Sequence, residues 1–301
     1  ARERLDVGAC GLSDAFRAVF RLTRLDELIA IFGDEQEALS ASTFRKRHFP
    51  SSFSPIGPGP IVPGWANPVE RLSIIDIPAE AMNINVHGRK TSSPVRGFGR
   101  LWDKKYRLRI PGTKIEPVEA ISVWKAEFPH FWPEGNRIFY SGSASLAPGT
   151  VALLNLKLPG GLVMATGFMV MYADETSFSF LAAQGHVISG WITFRIFREN
   201  TAVIVQVHPL FRTSDPSFEL GFRLGAAKEE DRFWHGTLRN FAGRLGVQGE
   251  TEQEEILADP RVQWREFRNL WQNAAIRSVF YMPFYALKRF PGPRENRFGG
   301  S

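Results

Sequence analysis

Two histidines open the search for chemistry in this chain. His186 stands at the head of GHVISGWITF and His208 within VQVHPLF. An imidazole with an unperturbed pKa near ~6.5 suits general acid or base work. The runs flanking REN at 198–200 alternate as a hairpin. Pairing residues that sum to about 396 sets His186 opposite residue 210, a register slip or two from His208. A metal would need a third ligand. Asp215 and His235 are conceivable, yet they lie on another element without ligand spacing, so no metal is expected. A proton-transfer residue and a polar group in a cavity wall or mouth both remain open for His186 and His208.

The strand after His186 separates Trp191, Thr193, Arg195 and Phe197 from Ile192, Phe194 and Ile196 by parity. If the first set faces inward, the Arg195 guanidinium demands an anionic partner; otherwise it is solvated. MATGFMVMY, residues 164–172, puts Met164, Thr166, Phe168, Val170 and Tyr172 on one side, with Gly167, Met169 and Met171 on the other. Flexible thioethers adapt to ligands of irregular shape, and they also fill ordinary cores. The chain has no HExxH, GxSxG or CxxC, no GxGxxG between strand and helix, and no GxxxxGK[ST]. No nucleotide or other cofactor is expected.

The elements that position these residues follow from periodicity. Residues 13–32 read as a helix capped by Ser13 and stopped by Gly33. HFPSSFSPIGPGPIVPGW is a loop or extended arm, because proline fixes its own dihedral and lacks a backbone donor. Leu101 to Ile110 alternates as a strand, with Tyr106, Leu108 and Ile110 on one face and Lys105, Arg107 and Arg109 on the other. A helix follows, with Pro117 in its first turn. Six strands are then predicted at 137–141, 149–158, 162–172, 176–183, 187–197 and 202–213, and one long helix at 215–246. Gly221 and Gly225 let that helix sit close to the sheet or mark a break near its start. One strand, short helices, six strands and a long helix predict an α+β fold: a seven-stranded antiparallel sheet curled around the C-terminal helix. An incompletely filled curl leaves an apolar pocket.

At 301 residues the chain can bury a sizeable core, and its 25 Phe, 8 Trp and 5 Tyr suit either that core or an apolar cavity. Residues 1–260 carry 29 basic and 29 acidic side chains, whereas 261–301 carry eight basic and two acidic. A basic tail points to a local contact with an anionic surface or partner, or to a solvated, partly disordered end, and to no nucleic-acid channel. Cys10 is the sole cysteine, so no disulfide forms within the chain, which fits a reducing, cytoplasmic setting. No run approaches the ~18 apolar residues of a membrane span.

FGRLWDKKYRLRIPG, FPHFWPEGNRIFY, GHVISGWITF and EDRFWHGTLRNFAGRLG, together with the element order, resemble the START/Bet v 1-like superfamily. These are the helix-grip proteins often described as polyketide cyclase or dehydrase-like, uncharacterised bacterial members included. The resemblance covers residues 98–248, and leaves 1–97 as a helical, Pro-rich arm and 249–301 as a basic amphipathic extension. It implies a space between sheet and helix for lipids, isoprenoids, polyketides or similar molecules, and no universal catalytic motif. The expected lining is Trp124, Phe139, Phe168, Tyr172, Trp191, Phe194, His208, Phe222, Phe233 and Trp234.

In the tail, QWREFRNLWQNAAIRSVFYM sets Trp264, Phe267, Trp271, Ala274/Ala275, Ser278/Val279 and Met282 on one helical face, ended by Pro283. Arg265, Arg268 and Arg277 decorate the rest. Such a helix docks on an anionic membrane, peripherally on its inner face, on a protein partner, or back on its own protomer. Three functions compete: a carrier of a hydrophobic small molecule; a cyclase or dehydratase using His186, His208 or an inward-facing acid; and an accessory subunit of a larger assembly.

Overall fold

The computed structural model describes residues 8–23, 25, 30–37, 63–75, 77, 80–140, 146–158 and 163–289. Most of the Pro-rich arm and the PGG turn at 159–161 fall outside them. At the N-terminal end β1 (Gly8–Cys10) and β2 (Ala30–Phe32) pair in parallel, with α1 (Asp14–Leu22) between them in sequence. The predicted 13–32 helix therefore stops early. Ser13 caps its start by accepting from the Phe16 N–H at 3.4 Å, and Thr23 ends it. Ile31 and Phe32 go into the strand instead, where β-branched and aromatic residues fit.

The main sheet has eight antiparallel strands. They are β3 (Leu101–Pro111), β4 (Arg137–Tyr140), β5 (Val151–Lys157), β6 (Val163–Ala173), β7 (Ser177–Ala182), β8 (Ile188–Glu199), β9 (Ala202–Thr213) and β10 (Glu250–Asp259). Their spatial order is β10-β3-β9-β8-β7-β6-β5-β4. The eighth strand corrects the predicted seven. β10 reads ETEQEEILAD and has no apolar alternation, because it lies at an exposed edge. Its ladder with β3 is reinforced by Lys105–Glu254 at 3.2 Å and Arg107–Glu252 at 3.7 Å. Charge on an edge strand also discourages pairing with other chains.

Helix α2 (Pro117–Glu127) and a 3-10 turn (Phe128–Phe131) follow β3. After β9 the predicted continuous helix is divided. Helix α3 (Pro216–Gly221) leads into a π-helical turn at Phe222–Ala226, and α4 (Ala227–Leu245) completes the run. Asp215 caps α3, accepting from the N–H groups of Ser217 at 2.8 Å and Phe218 at 3.2 Å. Gly225 breaks the helix with φ of 132°, a conformation that side chains disfavour.

One apolar cluster draws on β3 through β9, α2 and α4, which requires the sheet to curl over both helices. A second core lies on the convex face. There Leu72, Ile74, Ala81 and Val86 of the arm cover Val151, Leu153, Met169, Met171 and Leu181. Backbone bonds fasten the arm: the Ala66 N–H donates to the Met171 carbonyl at 2.9 Å and the Ser92 N–H to that of Ala182 at 2.8 Å. Strand β6 is thus buried on both faces, which is why its sequence is almost uniformly apolar.

The tail is not one helix. A 3-10 segment (Trp264–Gln272) breaks at Asn273, and α5 (Ala274–Arg289) runs past Pro283, so the expected stop there is not observed. Proline at that place removes only one intrahelical bond, toward residue 279.

Candidate functional site

The space between sheet and helices is occupied by aromatic rings. Trp124 of α2 stacks on Phe241 of α4 at 4.7 Å and meets Phe194 edge-on at 5.4 Å. Phe178 stacks on Phe194 at 4.7 Å, Phe168 on Phe180 at 3.9 Å, and Phe194 contacts Trp234 at 5.8 Å. Phe233 packs on Trp132 at 5.0 Å, while Phe222 lies 6.1 Å from Trp102 and 5.7 Å from Phe211. Six expected lining residues (Trp124, Phe168, Phe194, Phe222, Phe233 and Trp234) therefore lie on the concave side, in contact with one another or with neighbouring rings. Each such pair contributes about 0.5–1.5 kcal/mol beyond its buried area. Five polar atoms in or beside this layer have no hydrogen-bond partner: Trp102 Nε1, Trp124 Nε1, Trp132 Nε1, Tyr140 Oη and Thr166 Oγ1.

The other four expected lining residues face the convex side. Phe139 pairs with Leu153 and Trp191 with Leu181, and both pack under the arm. A bulge between Val170 and Tyr172 turns Tyr172 outward, so parity counted from Phe168 fails there. Tyr172 instead meets Trp65 at 4.8 Å and donates to Asp174 at 2.5 Å, a bond that with burial pushes its phenol up to about 12. His208 pairs across from Thr193, and its Nε2 lies 2.7 Å from Asp103 Oδ1 on the outer face. Arg195 is solvated outside, over the Phe197 ring at 5.1 Å.

His186 precedes β8, beyond the reach of the expected pairing, because Ile188 opposes Thr213. Its Nδ1 accepts from the Ile188 N–H at 3.1 Å, and burial lowers its pKa to about 4. It is a neutral turn residue. Among the described residues no group of three His, Cys, Asp or Glu side chains could hold a metal, and Asp215 caps α3.

The strongest polar constellation lies where β3 and β10 meet the start of α4. Lys104 is wholly buried, with Nζ 3.2 Å from Glu230, 3.0 Å from Asp231 and 3.1 Å from Glu255. The Tyr106 hydroxyl donates to Asp231 at 2.6 Å, and His235 stands edge-on to Tyr106 at 5.6 Å. Burial would lower the Lys104 pKa, but the carboxylates outweigh it and hold the ammonium charged. One cation does not neutralise three carboxylates. Burial first, then Asp231 and Glu255, raise Glu230 against the pull of Lys104 to about 7. A carboxyl that titrates near neutrality can give or take a proton. The sequence held a signal for this cluster: Lys104 shares the parity of Tyr106, Leu108 and Ile110, so a lysine must enter the grip and find acids such as those of EED at 229–231.

Two clefts open to solvent, of about 260 and 550 Å³, and both lie on the convex side between the arm, the turn before β8 and the tail. In the tail Asn273, Ala274 and Ser278 are buried against the protomer, while Trp264, Phe267, Arg268 and Trp271 are exposed and Arg277 is half-buried. The Met282 side chain lies outside the described residues. Among the described residues no helix is long and apolar enough to cross a membrane.

No family model matches the chain, and no curated protein matches it in sequence. Solved structures similar to it include the di-domain ARO/CYC StfQ from the steffimycin biosynthetic pathway. That likeness has 13% identity and a TM-score of 0.38, over 49% of this chain and 53% of that one. The chain thus spans about half the length of StfQ. Major latex-like protein 151 from Panax ginseng is 14% identical over 48% of this chain and 98% of its own, with a TM-score of 0.34. Protein Ms6760 from Mycobacterium smegmatis is 11% identical over 48% and 90%, with a TM-score of 0.35. The fold itself is read from strand order, register and the shared concave core. An antiparallel sheet curled over α2 and the long α4 gives residues 101–259 a helix-grip fold.

Proposed function

We propose that this chain binds an apolar small molecule bearing a polar group between the curled sheet and α4. The observation that carries this reading is the set of unpartnered polar atoms in the aromatic layer: Trp102 Nε1, Trp124 Nε1, Trp132 Nε1, Tyr140 Oη and Thr166 Oγ1. Each buried polar atom without a partner costs about 1–3 kcal/mol, and a ligand hydroxyl or carbonyl would recover part of that. The rings fill the space in the described conformation, so binding needs them to part. The π turn at Phe222–Ala226 supplies a joint, and Leu224 on it is 78% exposed. The ligand classes of helix-grip proteins, lipids, isoprenoids and polyketides, match this chemistry.

Two measurements test it: solvent extraction with mass spectrometry of the purified protein, and titration of stripped protein with the neutral dye Nile red. Saturable dye binding that quenches tryptophan, weakened several-fold in Phe194→Ala, is expected. Folded protein with neither extractable molecule nor saturable binding would overturn the reading.

A second reading, proton transfer on the bound molecule as in a cyclase or dehydratase, is favoured by Glu230. It is the inward acid, whereas His186 and His208 sit outside the grip. Under that reading, protein carrying Glu230→Gln co-purifies with a precursor of different mass from the molecule held by the wild type. An identical mass would count against it.

A further inference from the structure

The larger convex cleft, about 550 Å³, is lined by Arg71, Ile84, His87, Gly88, Arg89, Lys90, Gln184, Gln272 and Arg277, with no carboxylate among them. Its three guanidiniums bond to neutral groups. Arg71 donates to the Gly88 carbonyl at 2.8 Å, Arg89 to Gln272 Oε1, and Arg277 to Asn85 Oδ1 at 2.9 Å. Among the described residues none of the three forms an ion pair with an acidic side chain, although most other arginines near the sheet do. Arg89 and Arg277 are also close enough to repel: burial and then the Arg277 charge lower the Arg89 pKa. The adjoining smaller cleft holds an acid, Glu266, which is already shared by Arg96 at 3.7 Å and Arg265 at 3.3 Å.

Arg89 and Arg277 are half-buried, and half-buried guanidiniums without anions are costly unless something else neutralises them. The donors here come from three separate stretches of chain: residues 71–90 of the arm, Gln184 before β8, and the tail. Planar guanidiniums and two carboxamides converging from different sides suit a tetrahedral oxyanion better than a single planar carboxylate. His87 Nδ1 accepts from the Ile74 N–H at 3.3 Å, which leaves Nε2 as that ring's donor.

We propose that this cleft binds a phosphate-bearing anion, either a soluble phosphomonoester or a phospholipid headgroup. The exposed rings of Trp264, Trp271 and Phe280 on the same tail would flank a headgroup at a membrane surface. The site is independent of the grip between sheet and α4.

The test combines calorimetric titration of the full chain with inorganic phosphate and glycerol 3-phosphate, and co-sedimentation with phosphatidylcholine vesicles with and without phosphatidic acid. Saturable binding is expected, at least tenfold weaker in Arg89→Gln and in Arg277→Gln, and also weaker in the exposed-site variant Arg71→Gln. Binding in solution would assign a soluble ligand. Binding only to phosphatidic acid vesicles, reduced in Trp271→Ala, would assign a headgroup. Without anion, Arg89→Gln should melt no lower than the wild type, since a repulsion is removed; a purely structural arginine would lower the melting temperature. No saturable binding to either probe, or binding unchanged in all three arginine variants, would overturn the proposal.

Discussion

At the residue scale the buried Lys104 cluster makes the firmest predictions. Glu230 titrates at about 7 in the folded chain against an ordinary 4.5, so the folded state holds its proton more tightly. That stabilisation is complete below about 4.5 and is lost as pH rises through 7. His186 has the opposite sign: lowered from 6.5 to about 4, it takes away stability as pH falls through that window. The two effects overlap in the wild type, and a comparison of variants separates them. The melting temperature of Glu230→Gln relative to wild type should rise between pH 5 and pH 8, as followed by thermal denaturation; a constant difference would contradict the assignment. Lys104→Met leaves Asp231, Glu230 and Glu255 together without their cation. A loss of about 3–5 kcal/mol, measured by urea denaturation at neutral pH, is expected. That lysine was legible in principle, since it follows the parity of Tyr106. Glu255 was not, because nothing in ETEQEE announces a strand.

At the element scale, two breaks decide how the helices work. Gly225 has open space around its missing side chain, so Ala there meets no clash and the whole cost is conformational. Gly225→Ala should cost about 1–3 kcal/mol in denaturation and slow the uptake of Nile red, unless the turn re-forms as regular helix. The second break, at Asn273, turns the tail so that Ala274 and Ser278 go in and Trp271 goes out. Asn85 secures this arrangement. Its Nδ2 reaches the Ala165 carbonyl at 2.7 Å and the Ala274 carbonyl at 3.2 Å, and Ser278 Oγ accepts from the Ala165 N–H at 2.9 Å. Asn85→Ala should therefore expose residues 273–289 to limited proteolysis well before the sheet unfolds. Periodicity predicted one face of one helix here. It could not see the break, because Asn273 is held by Asp215 at 2.8 Å, a contact formed only in the folded chain.

At the scale of the whole molecule the sheet is covered on both sides, by rings and helices within and by the arm without. Of the tail, expected on a membrane, on a protein partner or on its own protomer, one side of 264–281 is docked on the protomer, while Trp264 and Trp271 are 70% and 76% exposed. Trp264→Asp with Trp271→Asp should leave the melting temperature unchanged while abolishing any surface association seen by vesicle co-sedimentation. The sequence by itself determined the strands β3 to β9, the helices α2 and α4, and the two faces of most strands. Alternation and turn residues are local properties, and they survive without knowledge of the fold. Only the tertiary structure decided which face points into the grip, since parity defines two sides and names neither. It also placed Tyr172 outside through a bulge, added the acidic β10, and laid the arm over Met169 and Met171. Those outcomes depend on segments distant in sequence whose apolar or charged residues carry no period of their own.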